Sequence, residues 1–354
     1  MKKVKRSLII SLIIIFAINI KIVEGIQNSV SARTRSNSPI NVAVFLLDFT
    51  DDLISDIREK LEEIQKQNED KVKYTFYDGK SDQTVQNEQI DEVLNKGVDL
   101  ILLNIVNRSD AQSVINKIKT TNIPVILFNR EPLTPIPIQS YNRAFYIGTD
   151  PKQAGELQGQ MLVDTWNDSR EFIDKNRDKV MQYIMLEGES DNTEAIERTK
   201  HSVSKVEKSG IKVQQIAIEI CDWKEDLAYN ATQKLFSKYG TQIEVIIAND
   251  DTMAIGAIKA LQEAGYNNGD KSKTIPVVGV DITPEAKEFI EKGYMLGSVL
   301  QSPMDYAEAL YICGMNIVNR RNPVEGTKYQ LDAMKTAIRI PHTEVFYKNI
   351  YLSE

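Results

Sequence analysis

Residues 244–256 read EVIIANDDTMAIG, and residues 276–285 read PVVGVDITPE. Each is a short apolar run that stops on acidic or amide side chains and passes straight into a helical pattern. In the second stretch Val277 to Val280 give way to Asp281, and Thr283, Pro284 and Glu285 supply good helix-start chemistry. Working outward, the same alternation fills the chain from Ile40 onward. Apolar runs lie at 41–47, 73–77, 100–103, 125–128, 181–186, 214–220, 244–248 and 277–280, with longer amphipathic stretches between them. In 53–66, for example, Leu53, Ile54, Ile57, Leu61 and Ile64 recur at three- and four-residue spacing among charges. That alternation is the signature of βα units and a parallel sheet.

Polar residues stand where the runs stop: Asp48, Asn104, Glu187 with Glu189, Asp250 and Asp281. In open α/β sheets ligands bind beyond the carboxyl ends of the strands, so two such sheets would aim two polar sets at one cleft. Any one of these residues alone could equally be a helix cap or a turn residue.

The 354 residues suggest about two domains, each large enough to bury its own core. A net charge of −7 argues against a dedicated nucleic-acid binder, which needs a concentrated basic surface. The two histidines, His201 and His342, are far apart and lack zinc-type neighbours, while Cys221 and Cys313 read as inert single thiols. No G-x-S-x-G elbow, P-loop or His beside a nucleophile is present, so no catalytic site is expected.

Lys2, Lys3, Lys5 and Arg6 precede an apolar stretch over 8–20, broken only by Ser11 and Asn19. This is the pattern of a secretory signal, or of an uncleaved anchor, over 1–25, followed by a Ser-, Asn- and Arg-rich linker over 26–39. The chain is therefore expected to be exported, to the periplasm or the outer face of the cytoplasmic membrane. No Cys follows the apolar run to carry a lipid.

The segments 89–97 (QIDEVLNKG), 99–104 (DLILLN), 122–132 (NIPVILFNREP), 144–150 (AFYIGTD), 244–256 and 276–285 together resemble the periplasmic galactose/glucose-binding proteins, among the type I sugar-binding proteins of bacterial ABC importers. The resemblance covers nearly everything from Ile40 to about Ile350. It implies an α/β fold of two Rossmann-like lobes with parallel sheets, joined by a three-segment hinge and closing over a monosaccharide. On that pattern the first lobe is 40–131 plus 302–338, and the second is 132–301 plus 339–354.

A cation loop is the most local signal. Asp174, Asn176, Asp178 and Gln182 fall at positions 1, 3, 5 and 9 of an EF-hand-like loop, with the Val180 carbonyl at position 7. The resemblance adds Glu244 as the bidentate ligand from a distant strand, and implies a structural Ca²⁺. Position 6, usually glycine, is Lys179, which reaches the left-handed region only at a cost. The competing reading is a solvated charged loop, to which Lys175 and Arg177 point.

For the sugar pocket, the positions that match the family unchanged are Asp51, Asn104, Arg198, Trp223 and Asp281. Carboxylate, amide and guanidinium groups grip hydroxyls in pairs, and Trp223 would stack on an apolar face of the ring. Asn192, Glu194, Asp250 and Gln301 stand where the family has histidine, aspartate, asparagine and asparagine. The longer reach of Glu194 and Gln301 points to a ligand that differs from glucose or galactose. Leu53 replaces the second stacking aromatic. The register nearby leaves Phe49 as an alternative ring and Asp48 or Asp52 as alternatives to Asp51. Other readings stay open: an exposed i,i+4 ion pair for Glu194 and Arg198, a core role for Trp223, and capping for Asn104 and Asp281.

The expected function is that of a monomeric, non-catalytic receptor that captures a monosaccharide and presents it to an ABC permease. The alternative is a sensor subunit reporting a sugar or other small polar ligand to a membrane kinase or chemoreceptor. A sugar-responsive repressor would need a DNA-binding helix-turn-helix where the leader and linker stand.

Overall fold

The computed structural model describes residues 38–342 and 345–347. The leader, and the linker up to residue 37, lie outside the described residues. The first strand, β1 (Ile40–Leu46), is buried at every position but one, as expected of a parallel strand covered on both faces. It leads into α1 (Asp52–Gln67), β2 (Val72–Asp78), α2 (Gln83–Lys96), β3 (Leu100–Leu103), α3 (Ala111–Lys119), β4 (Val125–Phe128), a short α4 (Ile136–Gln139) and β5 (Ala144–Thr149). The pattern then restarts with α5 (Pro151–Ile173), β6 (Val180–Glu187), α6 (Thr193–Lys208), β7 (Lys212–Ile220), α7 (Glu225–Tyr239), β8 (Val245–Ala248), α8 (Asp251–Glu263), β9 (Val277–Asp281), α9 (Pro284–Glu291) and β10 (Gly297–Leu300). Last come α10 (Pro303–Val318), β11 (Ala337–Ile340) and β12 (Val345–Tyr347).

Two six-stranded sheets result, ordered β11-β5-β4-β3-β1-β2 and β12-β10-β9-β8-β6-β7. The second repeats the first element for element, apart from an antiparallel β12 on β10. Every apolar run read from the sequence is a strand, and the two-lobed α/β architecture is the one expected. In each sheet the strand order reverses beside the first strand of the lobe, at β1/β3 and β6/β8. Those switch points are where an open sheet leaves a crevice.

Helix faces anchor the loops that will matter. On α1, Ile54, Ile57, Leu61 and Ile64 are buried against Val42, Val44 and Leu46 of β1 and Leu310 of α10. Across the sheet, Ala43 and Phe45 face Ile90, Val93 and Ile115. The second sheet is likewise packed on both sides. Each fully buried aliphatic side chain contributes about 1.5–3 kcal/mol, so these stripes fix the helix starts rigidly. Cys221 and Cys313 are buried in these cores, and burial pushes both thiols up to about 12.

The lobe boundaries expected from the sequence need correction. β5 pairs in parallel with β4, and β11 pairs with β5, so 144–149 and all of 337–340 belong to the first sheet. The crossings therefore follow Thr149, Leu300 and Ile340, not residues 131, 301 and 338. Pro132 and Pro135 turn the chain into the four-residue α4 and back to the same sheet. The crossings brace one another. Thr149 Oγ1 donates to Gln301 Oε1 at 2.9 Å, Gln153 exchanges hydrogen bonds with the His342 main chain, and His342 Nδ1 lies 2.7 Å from the Leu300 carbonyl.

Candidate functional site

A cleft of about 160 Å³ lies between the carboxyl ends of the two sheets. At ~30 Å³ per liquid water that is room for roughly five waters, the scale of one small polyol. The first lobe lines it with Leu47, Thr50, Asp51, Asp52, Leu53, Asn129 and Arg130. The second contributes Asn192, Glu194, Arg198, Trp223, Asp250, Thr252, Asp281 and Gln301.

Helix starts place most of these groups. Asp51 caps α1, its carboxylate accepting from Ile54 N at 3.0 Å. Asn192 caps α6 through Glu194 N at 2.9 Å, and Asp250 caps α8 through Met253 N at 2.8 Å. Three helix N-termini thus converge on one cleft, each with its cap side chain at the ligand boundary. Capping and lining are not alternatives here. The register question after β1 resolves too: Asp51 and Asp52 face the cleft, whereas Asp48 is occupied by Thr50 and Ser81. Phe49 packs on the core beneath the Arg58 guanidinium, 4.6 Å from its ring centroid, so it does not supply the second aromatic. Leu53 and Leu47 give that wall an aliphatic surface instead.

Arg198 is the hub. Its guanidinium is buried, donating to Asn249 O at 2.9 Å, Glu194 Oε2 at 3.1 Å and Gln301 Oε1 at 2.7 Å. The Glu194–Arg198 pair is therefore an interior pair, and the exposed-surface reading fails. Trp223 sits half-buried at the cleft wall, its ring 5.9 Å from the Arg198 guanidinium carbon. Gly188 makes this possible, because a Cβ there would lie 2.3 Å from the indole.

Asp281 is held in a strained backbone, with φ of 121° followed by Ile282 at 58°. Behind it the buried Asp251 accepts from Thr283 N at 2.9 Å and Ser298 Oγ at 2.6 Å, fixing the turn. Such strain persists only where surrounding contacts over-determine it. Asp281 Oδ1 is buried without a hydrogen-bond partner among the described residues, as are Glu194 Oε1 and Arg198 Nε. Burial also pushes the carboxyls of Asp51, Glu194, Asp250 and Asp281 above the ordinary range, Asp250 to about 7.

Asn104 differs from expectation. It is fully buried and does not line the cleft: its Oδ1 accepts from Leu47 N at 2.9 Å and its Nδ2 donates to Phe128 O and Asn129 Oδ1. Its amide ties together the ends of β1, β3 and β4 and orients Asn129, which does reach the cleft. Leu47, Thr50, Asn129, Arg130 and Thr252 line the cleft in addition to the residues expected from the sequence. The strand-end rule applied to 125–128 points at Asn129 and Arg130.

Arg130 and its neighbour Arg108 also link the lobes. Arg130 donates to the Ile105 and Val106 carbonyls and grips Glu189 of the second lobe with two parallel bonds, at 3.0 and 3.1 Å. Arg108 contacts the Asp191 side chain and its carbonyl. Burial raises the Glu189 carboxyl, but Arg130, Asn192 and Arg108 outweigh that and hold it below the ordinary range.

At the far end of α5, the loop after Ile173 has the expected alternation. Asp174 Oδ2 accepts from Lys179 N, Asn176 Oδ1 from Asp178 N, and Asp178 Oδ1 from Val180 N. Glu244 reaches over from the second sheet, accepting from Lys175 N at 2.8 Å and Gln182 N at 3.1 Å. Lys179 takes φ of 65°, the conformation a glycine would hold at that position. Asp174 Oδ1 and Gln182 Oε1 are buried acceptors without partners. The Asp178 carboxylate, by contrast, turns back on Asn176 and Gln182, and among the described residues no three His, Cys or carboxylate side chains converge.

Comparison with known proteins agrees with this architecture. A family model described as a periplasmic binding protein domain matches residues 42–319. The D-galactose/methyl-galactoside binding periplasmic protein MglB of Haemophilus influenzae is 33% identical over 323 residues, covering 91% of this chain and 93% of that one. Among solved structures, an ABC transporter solute-binding protein from Bacillus halodurans with bound myo-inositol aligns over 89% of this chain and 96% of its own, with TM-score 0.70 and 21% identity. One from Actinobacillus succinogenes with bound D-allose aligns over 88% and 99%, with TM-score 0.71 and 19% identity. At those identities the two structures speak to fold alone. The chain is a member of the type I periplasmic sugar-binding proteins, a family of solute-binding receptors and not of enzymes.

Proposed function

We propose that this chain is an exported receptor for a monosaccharide of the galactose or glucose type, and that it closes on the sugar and delivers it to an ABC importer. The observation that carries the reading is the cleft itself: one cavity of about 160 Å³, lined from both lobes by paired hydrogen-bonding groups and a single indole. Paired oxygens and nitrogens suit hydroxyls, each of which donates and accepts. Trp223 offers one stacking face, while Leu47 and Leu53 of the other lobe add aliphatic lining. Contacts from both lobes give a ligand higher affinity for the closed form, the condition for ligand-driven closure. Delivery to a permease, over reporting to a membrane sensor, is supported by the description of structures of the same fold as ABC transporter solute-binding proteins. A monomer outside the cytoplasm fits the same reading, with the leader as signal or anchor. Among the described residues no helix is long and apolar enough to cross a membrane.

The loop over 174–182 with Glu244 would hold a structural Ca²⁺. Asp174, Asn176, Asp178, Gln182, Glu244 and the Val180 carbonyl supply oxygens of the hard kind that ion takes. The unpartnered Asp174 Oδ1 and Gln182 Oε1 support the fit.

A thermal-shift panel of hexoses, pentoses and their amino and N-acetyl derivatives tests the main reading. It expects a rise in melting temperature with at least one monosaccharide that Trp223→Ala removes. No response to any of them would refute the sugar assignment.

A further inference from the structure

Five carboxylates line the cleft, Asp51, Asp52, Glu194, Asp250 and Asp281, against two guanidiniums, Arg130 and Arg198. Arg130 is committed to Glu189, outside the lining set, in a two-bond pair. Arg198 is committed to Glu194. Asp52 is exposed, where water solvates it. Asp51, Asp250 and Asp281 remain, and among the described residues none of the three forms an ion pair. Two have one carboxylate oxygen on a helix-capping amide, and the third has a buried oxygen with no partner at all.

Such an arrangement is unfavourable if all three are ionised. Asp250 is buried and Asp51 and Asp281 are partly so. Arg198 pulls Asp250 and Asp281 down and Arg130 pulls Asp51 down, yet burial outweighs them and leaves all three raised. A carboxylate so placed either takes up a proton or recruits a further cation. The three groups act on one another: Asp51 raises Asp250, and both raise Asp281. A neutral sugar hydroxyl can hydrogen-bond to them but brings no charge. A ligand ammonium brings three donors and, beyond the two arginines, a further positive charge.

We infer that the natural ligand is a monosaccharide-sized polyol carrying a free amino group, a hexosamine or an amino-polyol, with its ammonium seated among Asp51, Asp250 and Asp281. The inference rests on the monosaccharide reading of the cleft and narrows it. Arg198, Gln301 and Asn192 serve the hydroxyls, Trp223 covers the ring face, and the acidic side of the cleft selects the amine.

Calorimetric titration of the full chain at about pH 6.5, where an amine of ordinary pKa is protonated, separates the two readings. D-Galactosamine and D-glucosamine are compared with D-galactose, D-glucose and the two N-acetyl derivatives, which keep the shape and lose the charge. The expected result is that at least one amine binds about tenfold or more tighter than its parent hexose and its N-acetyl form, the factor for one added charged hydrogen bond. Asp250→Asn, which keeps the capping oxygen, should shrink that ratio to under about threefold, and Asp281→Asn serves if the first variant melts early. A parent hexose binding as tightly as its amine overturns the inference and leaves the monosaccharide reading standing. An amine preference that neither variant moves also overturns it. Absence of binding by every compound overturns both.

Discussion

Removing the Glu189 carboxylate should open the protein. Glu189 and Arg130 come from different lobes, so their contact holds the two lobes together in the conformation described. The pair is bidentate, with side chains 10% exposed for Arg130 and 29% for Glu189, so it is neither a surface pair nor a fully desolvated one. Allowing for that exposure, the pair is worth about 1–2 kcal/mol to the closed form, which is about 5- to 30-fold in the closure equilibrium. Glu189→Gln should weaken ligand binding by up to that factor, because affinity scales with the population of the closed, competent state. The radius of gyration of the ligand-free protein by small-angle scattering should rise together with Kd. A double-mutant cycle with Arg130→Gln should return a coupling of the same size. The neighbouring Arg108–Asp191 pair is a control: Asp191 is 69% exposed, and the Arg108 bond to its carbonyl survives substitution, so Asp191→Asn should cost under about 0.5 kcal/mol. The sign with pH follows from Glu189, whose carboxyl is held low in the closed form. The contribution is complete above the ordinary carboxyl value of 4.5 and is lost as pH falls through the lowered one. Unchanged Kd and unchanged radius in Glu189→Gln would refute the reasoning.

Three further outcomes are expected. Gly188→Ala should weaken sugar binding roughly tenfold, a stacking contribution of about 1–1.5 kcal/mol, by driving the Trp223 indole from the cleft wall; indole fluorescence should shift, and an unaltered Kd would contradict the placement. Calcium should raise the melting temperature and chelator lower it, with Asp174→Ala losing more in calcium than in chelator, where it forfeits only its bond to Lys179 N; equal drops in the two would remove the metal proposal. His342 is held at about 4 by burial, against its hydrogen bond to Leu300 O, so its contribution to folding is present above about pH 6.5 and fades as pH falls towards 4. His342→Gln should start less stable at pH 7 and lose less over that interval, as read from unfolding midpoints.

The fold was largely legible because central parallel strands announce themselves. Stretches such as 100–103 and 277–280 are unbroken apolar runs, buried on both faces. The strands that escaped notice as runs are β5, β10, β11 and β12, at the other side of each sheet. β10 and β11 are interrupted by Gly297 and Ser298 or by Arg339, β12 spans only three residues, and β5 passes after Ile147 into Gly148 and Thr149. Missing them moved the lobe boundaries, since the first crossing follows β5.

The site was legible at the level of strand ends and not at the level of partners. Asp250 and Asp281 end their runs and reach the cleft, whereas Asn104 ends its run in the same way and is consumed by main-chain groups. Nothing in the local sequence separates those cases, because the Leu47 amide that claims Asn104 lies 57 residues away. The Arg130–Glu189 link is hidden for the same reason, being a contact between lobes 59 residues apart in sequence.

Calorimetric titration of the full chain and of Trp223→Ala with a panel of monosaccharides and their amines tests the central claim most directly. The account predicts one site per chain, with Kd below about 10 µM, near −7 kcal/mol, for at least one compound, weakened at least tenfold in the variant. No heat from any monosaccharide, or binding that Trp223→Ala leaves untouched, would contradict it.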